Sequence, residues 1–405
     1  MFYLVKSNCI VVQSGGPTAV INNSLAGLID SIEYSRFKGE VYGAIGGIQG
    51  LLEERYINLT SLKDDDKFRL RWTPGAALGT CRHKITFDEV ENIINSFKKH
   101  SIHYFFYIGG NGSMYVANII NNIAIKMGYS LIVIGIPKSI DNDLLGTDHS
   151  PGYGSAAKFL ATSLLDVKMD VASYKGGRRV TIIEAMGRHT GWLAAACSLA
   201  TFQHDESQTF IYIPESSFYL EKCINQINES YRNKMDTFLI ISEGIKNENG
   251  QIINENEIEY DSLNRPKLGG VSNYLNQVIE AETGIQTRSI TPSIWQRSSI
   301  LLSSKTDVEE AYEIGKAAWD YAMKEYSGVM IGMEREKDSD NNYIVVYKEK
   351  QLEEVASKEK FVPLKWYDEV KNRMTDDFIS YVKPLIQGEM IVPMTNGLPK
   401  YKYVI

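Results

Sequence analysis

The chain has 405 residues, 43% of them hydrophobic and 23% charged, and a formal net charge of −7. No apolar run reaches the roughly 20 residues of a membrane span, and an acidic chain lacks the basic surface that coats nucleic acid, so neither a membrane nor a nucleic acid is expected as a partner. The length predicts two domains or lobes, and the start Met1-Phe2-Tyr3-Leu4-Val5-Lys6 lacks a signal-peptide pattern, so the expected location is cytoplasmic.

In chain order, residues 8–13 read as an apolar strand, Ser14-Gly15-Gly16-Pro17 as a turn, and residues 18–32 as a helix with Val20, Leu25, Leu28, Ile29 and Ile32 on one face. A second strand covers residues 41–45, and Asp64-Asp65-Asp66 reads as a solvated acidic loop. Residues 73–84 lack helical periodicity and form a candidate active-site loop ending in Gly79-Thr80-Cys81-Arg82. Helix 88–99, strand 103–108, the turn Gly109-Gly110-Asn111-Gly112-Ser113 and helix 114–125 complete a second strand-turn-helix unit.

Strand 131–136 then runs into Pro137-Lys138-Ser139-Ile140-Asp141-Asn142-Asp143 and helix 155–171. Strand 180–185 precedes Met186-Gly187-Arg188 and a helix over 193–199. Strands at 210–213, 237–242 and 286–291 alternate with helices at 220–231, 271–282 and 308–325, and residues 246–259 read as a surface hairpin or loop. Such alternation predicts a doubly wound α/β architecture. Residues 334–405 are charged and mixed and carry little functional signal.

Glycine turns at helix starts bind anions through unpaired backbone N–H groups, although neither turn here has P-loop or dinucleotide-binding spacing. Asp141 and Asp143, two apart on an extended segment, would face one way. One would take a proton while the other holds a metal, with Lys138 and Arg82 supplying positive charge, a division of labour that suits phosphoryl transfer. Taken alone, Arg178, Arg179 and Arg288 read as surface cations or phosphate ligands, and His83, His149 and His189 as structural or peripheral. Cys9, Cys81, Cys197 and Cys223 are widely separated, as reduced structural thiols would be.

Seven motifs stand in order: Gly15-Gly16 with Asn22, Gly79 to Arg82, Gly109 to Ser113, Pro137 to Asp143, Met186-Gly187-Arg188, Glu243-Gly244 and Gln296-Arg297. Together they resemble the 6-phosphofructokinases, a family with ATP-dependent and pyrophosphate-dependent members. The resemblance implies two doubly wound α/β lobes with the active site between them. Residues 1–151 plus about 297–360 would form a phosphoryl-donor lobe, and residues 152–296 plus the C-terminal segment a sugar-phosphate lobe. It implies phosphoryl transfer to the 1-hydroxyl of fructose 6-phosphate, giving fructose 1,6-bisphosphate in glycolysis, with Asp141 as base and Lys138, Ser139 and Arg82 completing the catalytic set.

By the same resemblance Gly15, Gly16, Arg82, Gly110, Asn111, Gly112 and Ser113 would bind the donor, and Asn111 and Asp143 would hold Mg2+. Ser139, Asp141, Asp143, Arg179, Met186, Gly187, Arg188, Glu243, Arg288 and Arg297 would bind the sugar phosphate. Some of these arginines would come from a neighbouring subunit, which implies a homodimer or homotetramer with shared active sites. Gly112 stands where pyrophosphate enzymes carry aspartate and leaves room for a nucleotide, whereas Lys138 is the pyrophosphate-type residue; removal of the block is given more weight. ATP is therefore the expected donor, pyrophosphate the alternative, and a non-catalytic regulatory subunit a remoter one. Asn111 replaces a common aspartate and Ile294 a histidine or tyrosine. Ala26 and Asp30 replace basic effector-site residues, so little response to ADP or phosphoenolpyruvate is expected.

Overall fold

Eleven strands build the two larger sheets in a computed structural model that describes residues 7–174, 179–201, 207–253 and 269–402. They are β1 (Asn8–Gln13), β2 (Val41–Ala44), β3 (Tyr56–Asn58), β4 (Ile102–Gly109), β5 (Ile132–Pro137), β6 (Val180–Ala185), β7 (Ser207–Tyr212), β8 (Asp236–Ser242), β9 (Thr287–Ile290), β10 (Val329–Lys337) and β11 (Tyr343–Gln351). The chain divides into unit 1, residues 1–155, 297–359 and 388–405, and unit 2, residues 156–296 and 360–387. The C-terminal segment is thus split, its last residues returning to unit 1 from Gly388. The fold class is the expected mixed α/β.

In unit 1 the strand order is β11-β10-β5-β4-β1-β2-β3, with β1, β2, β4, β5 and β10 parallel. The central strands are apolar on both faces because helices cover both. Phe105, Tyr107 and Val133 pack with Ile93, Phe97, Met114 and Ile120 on one side, and Phe106, Ile108 and Ile134 with Leu25, Leu28, Ile314 and Trp319 on the other. On that second side helix Ile21–Tyr34 lies against helix Lys305–Met323. A Cβ on Gly27 would come 1.9 Å from the Tyr312 carbonyl oxygen and one on Gly315 2.1 Å from that of Ser24, so this approach requires glycine. The pairs Gln13–Ile108 and Gly109–Pro137 bring the C-terminal ends of β1, β4 and β5 level, and the three motif turns follow there.

Unit 2 is built on the parallel order β7-β8-β6-β9 over a core that includes Ile182, Phe210, Leu239, Ile241, Leu275 and Ile279. Met186-Gly187-Arg188 follows β6 and Glu243-Gly244 follows β8.

Two readings change. Asp64, Asp65 and Asp66 are not a solvated loop but the first turn of helix Asp64–Leu70, where carboxylates oppose the positive helix end; Asp64 and Asp65 pair with Lys67 and Arg69 further along, and Asp66 with Lys402. Helix Asn111–Lys126 starts three residues before the expected 114, so Asn111, Gly112 and Ser113 are its first turn. The mixed segment beyond residue 334 supplies most of the β10–β11 hairpin at the sheet edge. Within the expected hairpin 246–259, Lys246 bridges to Ile252, and residues 254–259 lie outside the described residues.

Candidate active site

In unit 1 the motif residues converge through Lys138. Only 4% exposed, its ammonium donates to the Gly16 carbonyl at 2.8 Å. Its Nζ lies 3.0 Å from where a Cβ on Gly15 would sit, and Arg297 Nη1 lies 2.8 Å from the same position on Gly16. Gly15 also holds φ +77, so the turn is glycine for conformation and for the approach of two cations. Burial pushes the Lys138 ammonium down to about 8; Asp141 and Asp143 resist the shift, and the like charge of Arg297 adds to it.

The loop after Lys138 corrects an expectation. Asn142 has φ +52, so Asp141 and Asp143 are not alternate residues of one extended strand sharing a face. Asn142 is buried, and its Oδ1 accepts the Ser150 N–H at 3.1 Å. Ser139 Oγ donates to Asp143 Oδ1 at 2.8 Å and accepts the Asp141 N–H at 3.1 Å. Asn111 Nδ2 donates to Asp143 Oδ2 at 3.0 Å, while Asn111 Oδ1 is buried and meets no hydrogen-bond partner among the described residues. An orphaned amide oxygen beside a carboxylate suits a hard cation such as Mg2+. No cluster of three His, Cys, Asp or Glu side chains able to hold a metal occurs among the described residues. The chain would therefore supply part of a coordination shell and substrate oxygens the rest.

The Arg82 segment is fixed by two buried amides, one of which the sequence reading missed. Gln13 Nε2 donates to Asn22 Oδ1 at 2.9 Å, and Gln13 Oε1 accepts the Leu78 N–H at 2.9 Å. Asn22 accepts the Ala77 N–H at 2.9 Å and donates to the Thr73 carbonyl at 2.7 Å. The available signal for Gln13 was a polar residue ending an otherwise apolar strand. Thr80 Oγ1 then ties the segment to the Gly15 carbonyl at 2.9 Å, and Arg82 itself is exposed. Gly110 caps the helix that begins at Asn111, Ser113 is buried, and Gly112 is exposed with nothing within 4 Å of an added Cβ.

Unit 2 gathers Met186, Gly187, Arg188, Glu243 and Gln296. The Met186 N–H donates to Gln296 Oε1 at 2.9 Å, and Ser242 Oγ donates to the Gly187 carbonyl at 2.6 Å. The Gly187 N–H reaches Glu243 Oε1 at 3.5 Å, and Gly187 has φ +141. A Cβ on Gly244 would come 1.8 Å from the Arg188 carbonyl oxygen, so the two motifs pack backbone to backbone. Arg188 Nη1 and Arg179 Nε are buried and meet no hydrogen-bond partner among the described residues, and Arg179 stacks 4.4 Å over the Tyr174 ring. Arg288 is exposed, 3.8 Å from Asp170, and Ile294 is exposed. Arg297 belongs to unit 1 with Lys138, not to unit 2 with Arg179 and Arg288; Arg178 lies outside the described residues.

His83 pairs with Glu89 at 2.9 Å, near the start of helix Phe87–Lys99. All four cysteines are free, and Cys9, Cys197 and Cys223 are buried. Ala26 is buried, and Asp30 accepts the Tyr312 hydroxyl at 2.8 Å, so both side chains serve the packing of helix on helix.

Glycine turns level at parallel strand ends, a buried ammonium among carboxylates and buried guanidinium nitrogens without partners among the described residues are features that suit an α/β protein with anionic ligands. The chain belongs to the phosphofructokinase family, whose family model, described as Phosphofructokinase, matches residues 8–322. It is 36% identical to a pyrophosphate–fructose 6-phosphate 1-phosphotransferase of Halomonas elongata over 98% of this chain and 96% of the relative. The crystal structure of a pyrophosphate-dependent phosphofructokinase from Nitrosospira multiformis superimposes with a TM-score of 0.89 at 35% identity, over 98% of this chain and 96% of that one. A sulfofructose kinase of Alkalicoccus urumqiensis is 33% identical over 80% of this chain and 82% of its own length.

Proposed function

We propose that this protein transfers a phosphoryl group from pyrophosphate to the 1-hydroxyl of fructose 6-phosphate, forming fructose 1,6-bisphosphate and orthophosphate. The observation that carries the reading is Lys138, a buried ammonium resting on the Gly15-Gly16 turn beside Asp141 and Asp143. A fixed positive charge in a desolvated site stabilises negative charge developing on a leaving phosphate. Relatives aligned over nearly the full chain carry pyrophosphate in their names, which weighs against the ATP preference drawn from Gly112. The physical reason is an asymmetry between the two positions. The open space at Gly112 removes an obstacle without supplying a contact, whereas Lys138 supplies charge.

In this reading Asp141 takes the hydroxyl proton, Ser139 touches the transferred group, and Arg82, the glycine turns and Ser113 bind the donor. Asn111 and Asp143 would hold Mg2+, which neutralises phosphate charge when bound. Arg179, Met186, Gly187, Arg188, Glu243, Arg288 and Arg297 form the proposed sugar-phosphate set; the partnerless nitrogens of Arg179 and Arg188 favour an anionic ligand. ATP is kept as the second reading because Gly112 leaves space for a larger donor. The test is kcat/KM measured separately with pyrophosphate and with ATP, fructose 6-phosphate saturating. A higher value with pyrophosphate supports the proposal, a higher value with ATP transfers it to the second reading, and no turnover with either points to the regulatory role.

A further inference from the structure

The loop that carries Ser139, Asp141 and Asp143 has no strand or helix of its own between Pro137 and Tyr153, so its shape depends on what its return half is fastened to. At the near end the Ser139 N–H donates to the Pro151 carbonyl at 3.2 Å. The Gly152 and Ser155 N–H groups donate to the buried carboxylate of Asp307 at 2.8 and 2.9 Å. At the far end the Asp148 N–H donates to the Met333 carbonyl at 2.8 Å, and Thr147 Oγ1 donates to the His149 carbonyl at 2.6 Å while accepting the Met333 N–H at 3.0 Å.

Between these fastenings sits His149, 1% exposed. Its Nδ1 lies 2.9 Å from Asp148 Oδ2 and its Nε2 2.7 Å from Glu310 Oε2. Carboxylate oxygens only accept, so both ring nitrogens must donate, and the geometry calls for an imidazolium. Arg335 completes the set, 3.0 Å from Asp148 and 4.8 Å over the ring of Tyr343, whose hydroxyl donates to Glu310 Oε1 at 2.7 Å. The buried Glu310 and the part-buried Asp148 thus face two cations, a balance that fails if either cation is lost. Burial alone would lower the imidazole's pKa; Glu310 and Asp148 more than reverse this, to about 9. The residue after His149 donates its N–H to Asn142 Oδ1, and Asn142 is the left-handed residue between Asp141 and Asp143.

We propose that His149 is a positioning residue for phosphoryl transfer: clamped between Asp148 and Glu310, it sets the Ser150 N–H that holds Asn142, and through Asn142 the placement of the Asp141 and Asp143 carboxylates. It touches neither substrate nor reacting atoms. The inference rests on the phosphoryl-transfer reading of Asp141.

The test compares kcat, the KM for each substrate and Tm in the full-length chain. In His149→Gln a single amide cannot donate to both carboxylates, so kcat is expected to fall about 10- to 100-fold, the cost of a slightly misplaced catalytic group, with both KM values little changed. The double variant His149→Gln, Glu310→Gln removes the surplus charge and is expected to recover part of the lost kcat. Ile93→Ala, a cavity variant in helix Phe87–Lys99 of the same unit and so outside the loop itself, lowers Tm without this kcat loss. Wild-type kcat in His149→Gln, or an equal kcat loss in Ile93→Ala, overturns the inference. Should His149→Gln be insoluble, Glu310→Gln alone decides: a selective kcat decrease supports the inference and wild-type kcat overturns it. If Asp141→Asn keeps wild-type kcat, the phosphoryl-transfer reading is overturned and the inference with it. If Asp141→Asn is inactive while His149→Gln is not slowed, only the inference fails.

Discussion

The two units assemble their motif residues by different means. Unit 1 draws Lys138, Asp141, Asp143 and Arg297 together as charges, and the Lys138 ammonium among them is out of water. Unit 2 holds its motif mainly with neutral groups: Gln296 Oε1 accepts the Met186 N–H, Ser242 Oγ donates to the Gly187 carbonyl and Gly244 approaches Arg188 closely, with the Glu243 carboxylate a longer contact of Gly187 at 3.5 Å. A buried charge acts strongly on chemistry and tolerates little change around it, whereas a neutral scaffold fixes shape and yields by degrees. The proposed division of labour follows: reacting charge in unit 1, and recognition mainly in unit 2 with Arg297 of unit 1 added to it.

The largest expected effect is at Lys138. Lys138→Met is expected to lower kcat/KM for pyrophosphate by on the order of 10²-fold or more, as loss of a group aimed at developing charge does. The wild type should show an associated pH dependence. Lys138 is charged below about 8 and neutral above in the free enzyme, so kcat/KM for pyrophosphate falls as pH rises through that value, and the fall is absent from the residual activity of the variant. A middle effect belongs to Gln296→Leu, which strands the Met186 N–H; the orphaned donor costs about 1–3 kcal/mol, read as a lower kcat/KM for fructose 6-phosphate with the donor KM unchanged. The smallest effect on stability is at Arg288, whose exposed approach to Asp170 is worth less than about 1 kcal/mol. Arg288→Ala should leave Tm nearly unchanged and raise the KM for fructose 6-phosphate. If Lys138→Met proves as mild as Gln296→Leu, the contrast between charged and neutral assembly fails.

Legibility in the sequence followed the same divide. Apolar runs ending at glycine turns located β1 and β4, and the apolar run into Pro137-Lys138 located β5, because a strand buried on both faces leaves few ways to read its residues. Left-handed Asn142 was not legible, since asparagine between two aspartates fits an extended segment equally well. Gln13 and His149 stayed hidden because their roles depend on partners far along the chain, Leu78 in one case and Glu310 in the other. Asp64 to Asp66 misled because an acidic run suits a solvated loop and a helix start alike. In the donor question Gly112 spoke through an absent side chain, while the burial that gives Lys138 its force emerges only when the chain is folded.

The central claim is that charge at Lys138, rather than space at Gly112, sets the donor. It is tested most directly by supplying pyrophosphate and ATP together at equal concentration with fructose 6-phosphate and Mg2+, and following which donor product forms with fructose 1,6-bisphosphate. Orthophosphate is the expected product, with ADP a minor one; accumulation of ADP in step with fructose 1,6-bisphosphate would contradict the claim.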